Sequence, residues 1–161
     1  MTASPERPGV VPATAENIRR AAEIVRTGGL AIVPTETVYG VAARADSPAA
    51  LARLYAAKGR DEGKRVAFFA GGIAAVRAAG VRTGAVAERL AEAFWPGPLT
   101  MVLQNAQGDW DGYRVPDHVV ALAWLRQLDF PVAVTSANRS GEPDARTALA
   151  AWDALAPHVE L

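Results

Sequence analysis

The sequence predicts an α/β domain with at least part of its sheet parallel, on three observations. Short apolar runs alternate with amphipathic segments of about ten residues, the pattern of strands spaced by helices. No internal repeat or interdomain linker interrupts that alternation, and 161 residues suit one domain. Several polar segments directly follow strand-like runs, where open α/β sheets collect their ligand loops.

The elements follow in order. Residues 1–12 carry Pro5, Pro8 and Pro12 and read as a flexible lead-in to a domain over residues 13–161. Thr14 is placed to cap a helix to Arg26, with Ile18, Ala21, Ala22 and Val25 on one face and Gly28-Gly29 ending it. Leu30 to Val33 is a short buried strand stopped by Pro34, and Val41 to Ala45 a second. Ser47-Pro48 starts a helix that ends near Lys58-Gly59. Val66 to Ala70 reads as a strand and Gly71-Gly72 as a turn. Thr83 is placed to cap a helix whose Val86, Leu90 and Phe94 share a face, closed by Trp95-Pro96-Gly97-Pro98. Leu99 to Leu103 and Tyr113 to Val115 are strands, Asp117 to Leu128 a helix, Pro131 to Thr135 a buried strand, and Asp144 to Leu155 the last helix.

Composition excludes several classes of function. Seventeen basic and seventeen acidic residues cancel, which argues against a chain devoted to wrapping nucleic acid. With no cysteine there is no disulfide framework, thiolate metal site or thiol nucleophile. No apolar run approaches the ~18 residues of a membrane span, so the expectation is no membrane and a cytoplasmic location. His118 and His158 lie far apart without an acidic cluster at ligand spacing, so no metal site is expected. Ser136 sits in no Gly-x-Ser-x-Gly elbow, and neither common glycine-rich phosphate loop is present. The four tryptophans lie on different elements, not interleaved with basic residues, and read as core or interface side chains.

Two segments carry the chemistry. Lys58-Gly59-Arg60, with Lys64 and Arg65 beyond, offers cations at a helix end. Thr135-Ser136-Ala137-Asn138 sets a hydroxyl and a carboxamide two residues apart after a strand. Brought together they suit a polyphosphate or another anion. Taken alone, the first is also what a solvated helix C-terminus carries, and residues 58–65 have four basic and two acidic side chains, net +2. Pro34 to Gly40 likewise reads either as a threonine-held turn or as part of a site.

Five motifs, in order, resemble the threonylcarbamoyl-AMP synthase family, the YrdC-like proteins. They are Gly28 to Gly40 (GGLAIVPTETVYG), Lys58-Gly59-Arg60, Trp95-Pro96-Gly97-Pro98-Leu99-Thr100, Arg114-Val115-Pro116, and Thr135-Ser136-Ala137-Asn138-Arg139-Ser140-Gly141. The resemblance implies a twisted, partly parallel mixed sheet with helices packed on it around a deep, positively lined cavity. It implies synthesis of threonylcarbamoyl-AMP from L-threonine, bicarbonate and ATP with release of pyrophosphate, a nucleotidyltransferase activity. Lys58, Arg60, Ser136 and Asn138 match the catalytic quartet. Arg60, Lys64, Thr100 and Asn138 would hold ATP, and Thr37, Thr35, Tyr39, Arg114 and Ser136 the threonine. Mg2+ would accompany ATP, with no metal bound by protein ligands. Expected partners are tRNA or double-stranded RNA and the downstream proteins that transfer the threonylcarbamoyl group to tRNA.

The sequence also departs from the family pattern. Arg65 stands where proline is usual, Glu36 where aspartate is, and Gln104 replaces a basic residue; the segment between Thr100 and Arg114 is short. The family's later strands, with a Ser/Thr-Val-Val-Asp-like segment and a closing Arg-Pro-Gly, have no counterpart here. The expectation is a C-terminally short, divergent member. Competing readings are a non-catalytic nucleotide- or RNA-binding module, and carbamoyl-adenylate chemistry on another acceptor.

Overall fold

The computed structural model describes residues 9–161, and among these six strands form one sheet. They are β1 (Ala31–Val33), β2 (Gly40–Arg44), β3 (Ala67–Phe69), β4 (Met101–Gln104), β5 (Trp110–Arg114) and β6 (Val132–Ser136). The spatial order is β1-β2-β6-β3-β5-β4. Only β3 and β5 run parallel; the other neighbours are antiparallel, so the sheet is mixed and partly parallel as expected. The helices are α1 (Ala15–Arg26), α2 (Pro48–Lys58), α3 (Ile73–Ala78), α4 (Ala85–Phe94), α5 (Val119–Leu125) and α6 (Ala148–Leu155).

Strand alternation sends successive residues to opposite faces. Val132 and Val134 of β6 join Val33, Ala42 and Phe69 under α1 and α5, where Val25, Trp124 and Leu125 are buried. Ala133, between those valines, turns to the other face with Val41 and Ala43, against Leu54 and Ala57 of α2 and Leu155 of α6. A third cluster packs Val76 of α3 and Ala91 of α4 on Met101, Leu103 and Tyr113. Gly40 is needed where β2 meets β6, since a Cβ there would lie 2.7 Å from Val134 Cγ1.

Two helix starts follow the sequence closely. Thr14 and Ser47 cap α1 and α2, accepting from the N–H of Asn17 and Ala50. Others differ. α3, just after the Gly71-Gly72 turn, was not among the expected elements; its six residues are too few for a clear helical period. α4 begins after Gly84, and Thr83 hydrogen-bonds Glu88 instead of capping. The stripe expected inward on α4 faces out, with Val86 63%, Leu90 38% and Phe94 54% exposed. Ala87 and Ala91 form the neighbouring stripe, and it is this one that packs into the third cluster. α5 starts at Val119, with His118 Nδ1 accepting from Val120 N–H, and Thr147, not Asp144, leads α6.

Of the lead-in, residues 1–8 lie outside the described residues. Val11 packs against the α1–α5 core cluster, and a Cβ on Gly9 would meet the Trp152 ring. Residues 160 and 161 run beside β1: Glu160 N–H donates to Leu30 O at 3.0 Å, and Ile32 N–H to Leu161 O at 2.8 Å.

Candidate functional site

Sheet register gathers three segments at one end of the molecule. Val33 pairs with Gly40 and Gly40 with Ser136, so the 34–39 turn and the segment after β6 start side by side. Ala137 N–H donates to Tyr39 O and Tyr39 N–H to Ala145 O, stitching the two together. The C-terminal end of α2 arrives from the face that carries Ala133. Gly59 closes that helix in the left-handed region, φ 57° and ψ 39°, where a side chain would be disfavoured.

Lys58 and the Ser136–Asn138 segment come together, as the sequence led one to expect, but with an unexpected orientation. The Lys58 side chain is only 1% exposed. Its Nζ donates to Ser136 O at 2.5 Å, Asn138 O at 2.6 Å and Asn138 Oδ1 at 3.3 Å. The expected outward-facing cation is therefore turned inward, because a buried ammonium must find acceptors. Burial and the charge of Arg60 push the Lys58 ammonium down to about 8, against the pull of Asp144. Asn138 is buried too, and its Nδ2 donates to Glu142 O at 2.6 Å and Arg139 O at 3.2 Å. The Ser136 hydroxyl has no hydrogen-bond partner among the described residues, and only its carbonyl is engaged.

Arg60 continues the chain into a tight turn. Its guanidinium donates to Arg65 O at 3.0 Å and Lys64 O at 3.5 Å, and Tyr55 Oη donates to Lys64 O at 2.9 Å. Arg65 ties this turn to β5 through Trp110 O and Asp111. A side-chain tether thus stands where the family pattern has a rigid proline. The Lys64 ammonium is exposed. So is Arg139, whose guanidinium lies 3.9 Å from where a Gly59 Cβ would be. Arg139 was read only as part of a turn; its place beside Gly59 depends on a contact 80 residues apart in sequence.

The second cluster is the 34–39 turn. Thr35 Oγ1 donates to Val38 O at 2.6 Å and accepts from the N–H of Thr37 and Val38, each at 3.2 Å. The threonine-held turn is real, and it orders a neighbouring arginine. Arg114 Nη2 donates to Glu36 Oε1 at 2.5 Å and Thr37 Oγ1 at 3.4 Å, its Nε to Gly97 O at 3.2 Å, and its guanidinium lies 5.3 Å above the Phe69 ring. The Arg114 and Glu36 side chains are 12% and 20% exposed. Burial raises the Glu36 pKa, but the Arg114 hydrogen bond, backbone N–H groups and the Arg114 charge together hold the carboxyl below its ordinary value. Glu36 had been seen only as a mild departure. The signal available was the need of a half-buried arginine for a carboxylate.

Thr100 and Tyr39 complete the predicted set. Thr100 is exposed, its Cγ2 3.0 Å from where a Cβ on Gly112 would stand. Tyr39 joins the site through its backbone and lines an apolar cavity of about 210 Å3 with Ile32, Val33, Trp124 and Trp152. Beside Thr100 the sheet is bare, with Val102 63% and Trp110 56% exposed. Among the described residues no group of three or more His, Asp or Glu is placed to hold a metal. None of their helices is long and apolar enough to cross a membrane.

With that geometry established, comparison with known proteins agrees with the resemblance. The Sua5_yciO_yrdC family model, described as telomere recombination, matches residues 23–161. Threonylcarbamoyl-AMP synthase of Mus musculus is 37% identical over 99% of this chain and 58% of its own length. That of Pyrococcus abyssi is 36% identical over 81% of this chain and 41% of its own. This chain thus spans about half the length of these relatives. The crystal structure of P. abyssi Sua5 complexed with L-threonine superposes with a TM-score of 0.86 at 33% identity, over 91% of this chain and 46% of that one.

Proposed function

This chain belongs to the Sua5–YciO–YrdC family, and on that premise we propose that it makes threonylcarbamoyl-AMP from L-threonine, bicarbonate and ATP, releasing pyrophosphate. The observation that carries the reading is the junction of Lys58 with Ser136 and Asn138, residues 78 and 80 positions away, in a fold that matches a relative complexed with L-threonine.

The chemistry sets the demands on the site. Threonine's amine combines with bicarbonate to a carbamate, losing water. A carbamate oxygen then attacks the α-phosphorus, and pyrophosphate leaves with the electrons of the broken P–O bond. Two anions must approach, so cations and oriented donors supply much of the rate. In this reading Lys58, Arg60, Ser136 and Asn138 surround the reacting groups. Arg60, Lys64, Thr100 and Asn138 serve ATP. Thr37 and Arg114, with Thr35, Tyr39 and Ser136, serve threonine. The Ser136 hydroxyl and the Lys64 ammonium, neither with a partner among the described residues, are suited to such contacts. Mg2+ enters with the triphosphate, which together with water supplies most of its oxygen ligands.

The product would pass, in the cytoplasm, to proteins that transfer the threonylcarbamoyl group to tRNA. Contact with tRNA or double-stranded RNA belongs to the same proposal, and a net charge of zero limits its strength. The test is pyrophosphate release by the purified chain with ATP, Mg2+ and bicarbonate, with and without L-threonine. Threonine-dependent release supports the synthase. ATP binding without release would make it a nucleotide-binding module, and release with a different amine would reassign the acceptor.

A further inference from the structure

We propose that Lys58 is a positioning residue: its ammonium binds the Ser136 and Asn138 backbone to the end of α2 and so sets the 136–142 loop, while the substrate's negative charge is met by Arg60. An ammonium has three N–H donors, and three protein oxygens at 2.5, 2.6 and 3.3 Å account for all of them. The side chain is closed off from solvent, so no donor remains for a phosphate or carboxylate. To touch a substrate, Lys58 would have to abandon a buried carbonyl.

The tether extends through Asn138. This side chain accepts from Lys58 with Oδ1 and donates with Nδ2 to Arg139 O and Glu142 O, spanning the loop. Ser140 N–H returns a hydrogen bond to Lys58 O at 2.8 Å, so both ends of the lysine hold the same loop. Arg60 differs. Its Nε and Nη2 donate to two carbonyls of its own turn, and among the described residues Nη1 has no acceptor. The charged groups that act on the Lys58 ammonium are Arg60 from the following turn and Asp144 from the segment before α6, while the loop itself carries Arg139 and Glu142.

Amide hydrogen exchange on the whole chain tests the tether without any assumption about the reaction. In Lys58→Met, the amides of Ala137, Asn138 and Ser140 should exchange about tenfold faster or more, with β1 and β2 amides unchanged. Wild-type protein supplies a second measurement should that variant fold poorly. Corrected for intrinsic rates, protection of the same loop amides should fall as pH rises through about 8, where the amine keeps only two donors. Titration with Mg2+ and ATP adds an arm that rests on the synthase reading: Arg60→Met should weaken the ATP Kd about tenfold, and clearly more than Lys58→Met does. Unchanged loop exchange in Lys58→Met, a flat pH profile, or a loss of ATP affinity equal to that of Arg60→Met overturns the proposal. Absence of pyrophosphate release by wild type would sink the synthase reading and leave the exchange result standing.

Discussion

The two halves of the candidate site hold a cation in opposite ways. At the α2–β6 junction an ammonium is sealed from water and answered by neutral carbonyls. At the 34–39 turn a guanidinium stays at the edge of solvent and is answered by a carboxylate, a hydroxyl and a ring face. The first arrangement leaves a full buried charge and converts it into loop geometry. The second nearly cancels the charge and leaves some N–H groups of Arg114 open. A buried cation can thus serve as structure, while one half-neutralised at the rim keeps N–H groups open.

Removing Lys58 is expected to be the most damaging single change to this contrast. Lys58→Ala leaves Asn138 O and Asn138 Oδ1 without a donor in a dry setting, and Ser136 O with the Asn138 N–H alone. It should destabilise by about 3 kcal/mol, lowering the thermal midpoint by roughly 6–12 °C in a calorimetric scan. Arg114→Ala should destabilise less, about 1–2 kcal/mol in urea, because Glu36 and Gly97 O can take up water at the rim. An equal loss in the two variants would erase the distinction.

A smaller effect separates the halves by pH. The Lys58 pKa is depressed in the folded chain, so folding favours loss of its proton, and its contribution to stability increases as pH rises from about 8 toward 10.5. Glu36 is depressed too, but as an acid: its contribution is present above the ordinary carboxylate pKa and is lost as pH falls through the lower folded value. Urea unfolding across pH 3–6 and 7–10 should show both slopes, with Glu36→Gln reducing the acid one, to which Asp46 beside Arg44 also contributes, and Lys58→Met reducing the alkaline one. Loop loosening above pH 8 alongside unchanged or higher global stability would mark the effect as local. The smallest expected change is Gly59→Ala, which places a Cβ in the left-handed region without a clash and should cost about 1 kcal/mol.

Much of the fold was legible because its signals are local. Thr14 and Ser47 cap where hydroxyls precede helical periods, and the apolar run from Leu30 that stops at Pro34 proved to contain β1. The α4 stripe failed because periodicity reports that a helix has an apolar face, not which of two adjacent apolar faces the sheet will take. For the site, the motif residues were visible, and the Lys58–Ser136–Asn138 meeting followed from two segments that wanted one partner. Glu36, Arg65 and Arg139 were not assigned roles, since each works through contacts set by strand order.

By itself the sequence determined the class of fold, the ends of α1 and α2, and the polar segments worth joining, because propensity, capping and apolar period act within a few residues. Only the tertiary structure decided that the sheet is largely antiparallel, that α4 turns alanines inward, and that Lys58 points at protein oxygens. Those outcomes depend on which distant backbone groups share a buried space with a charge, and desolvation leaves that charge no stable place without them.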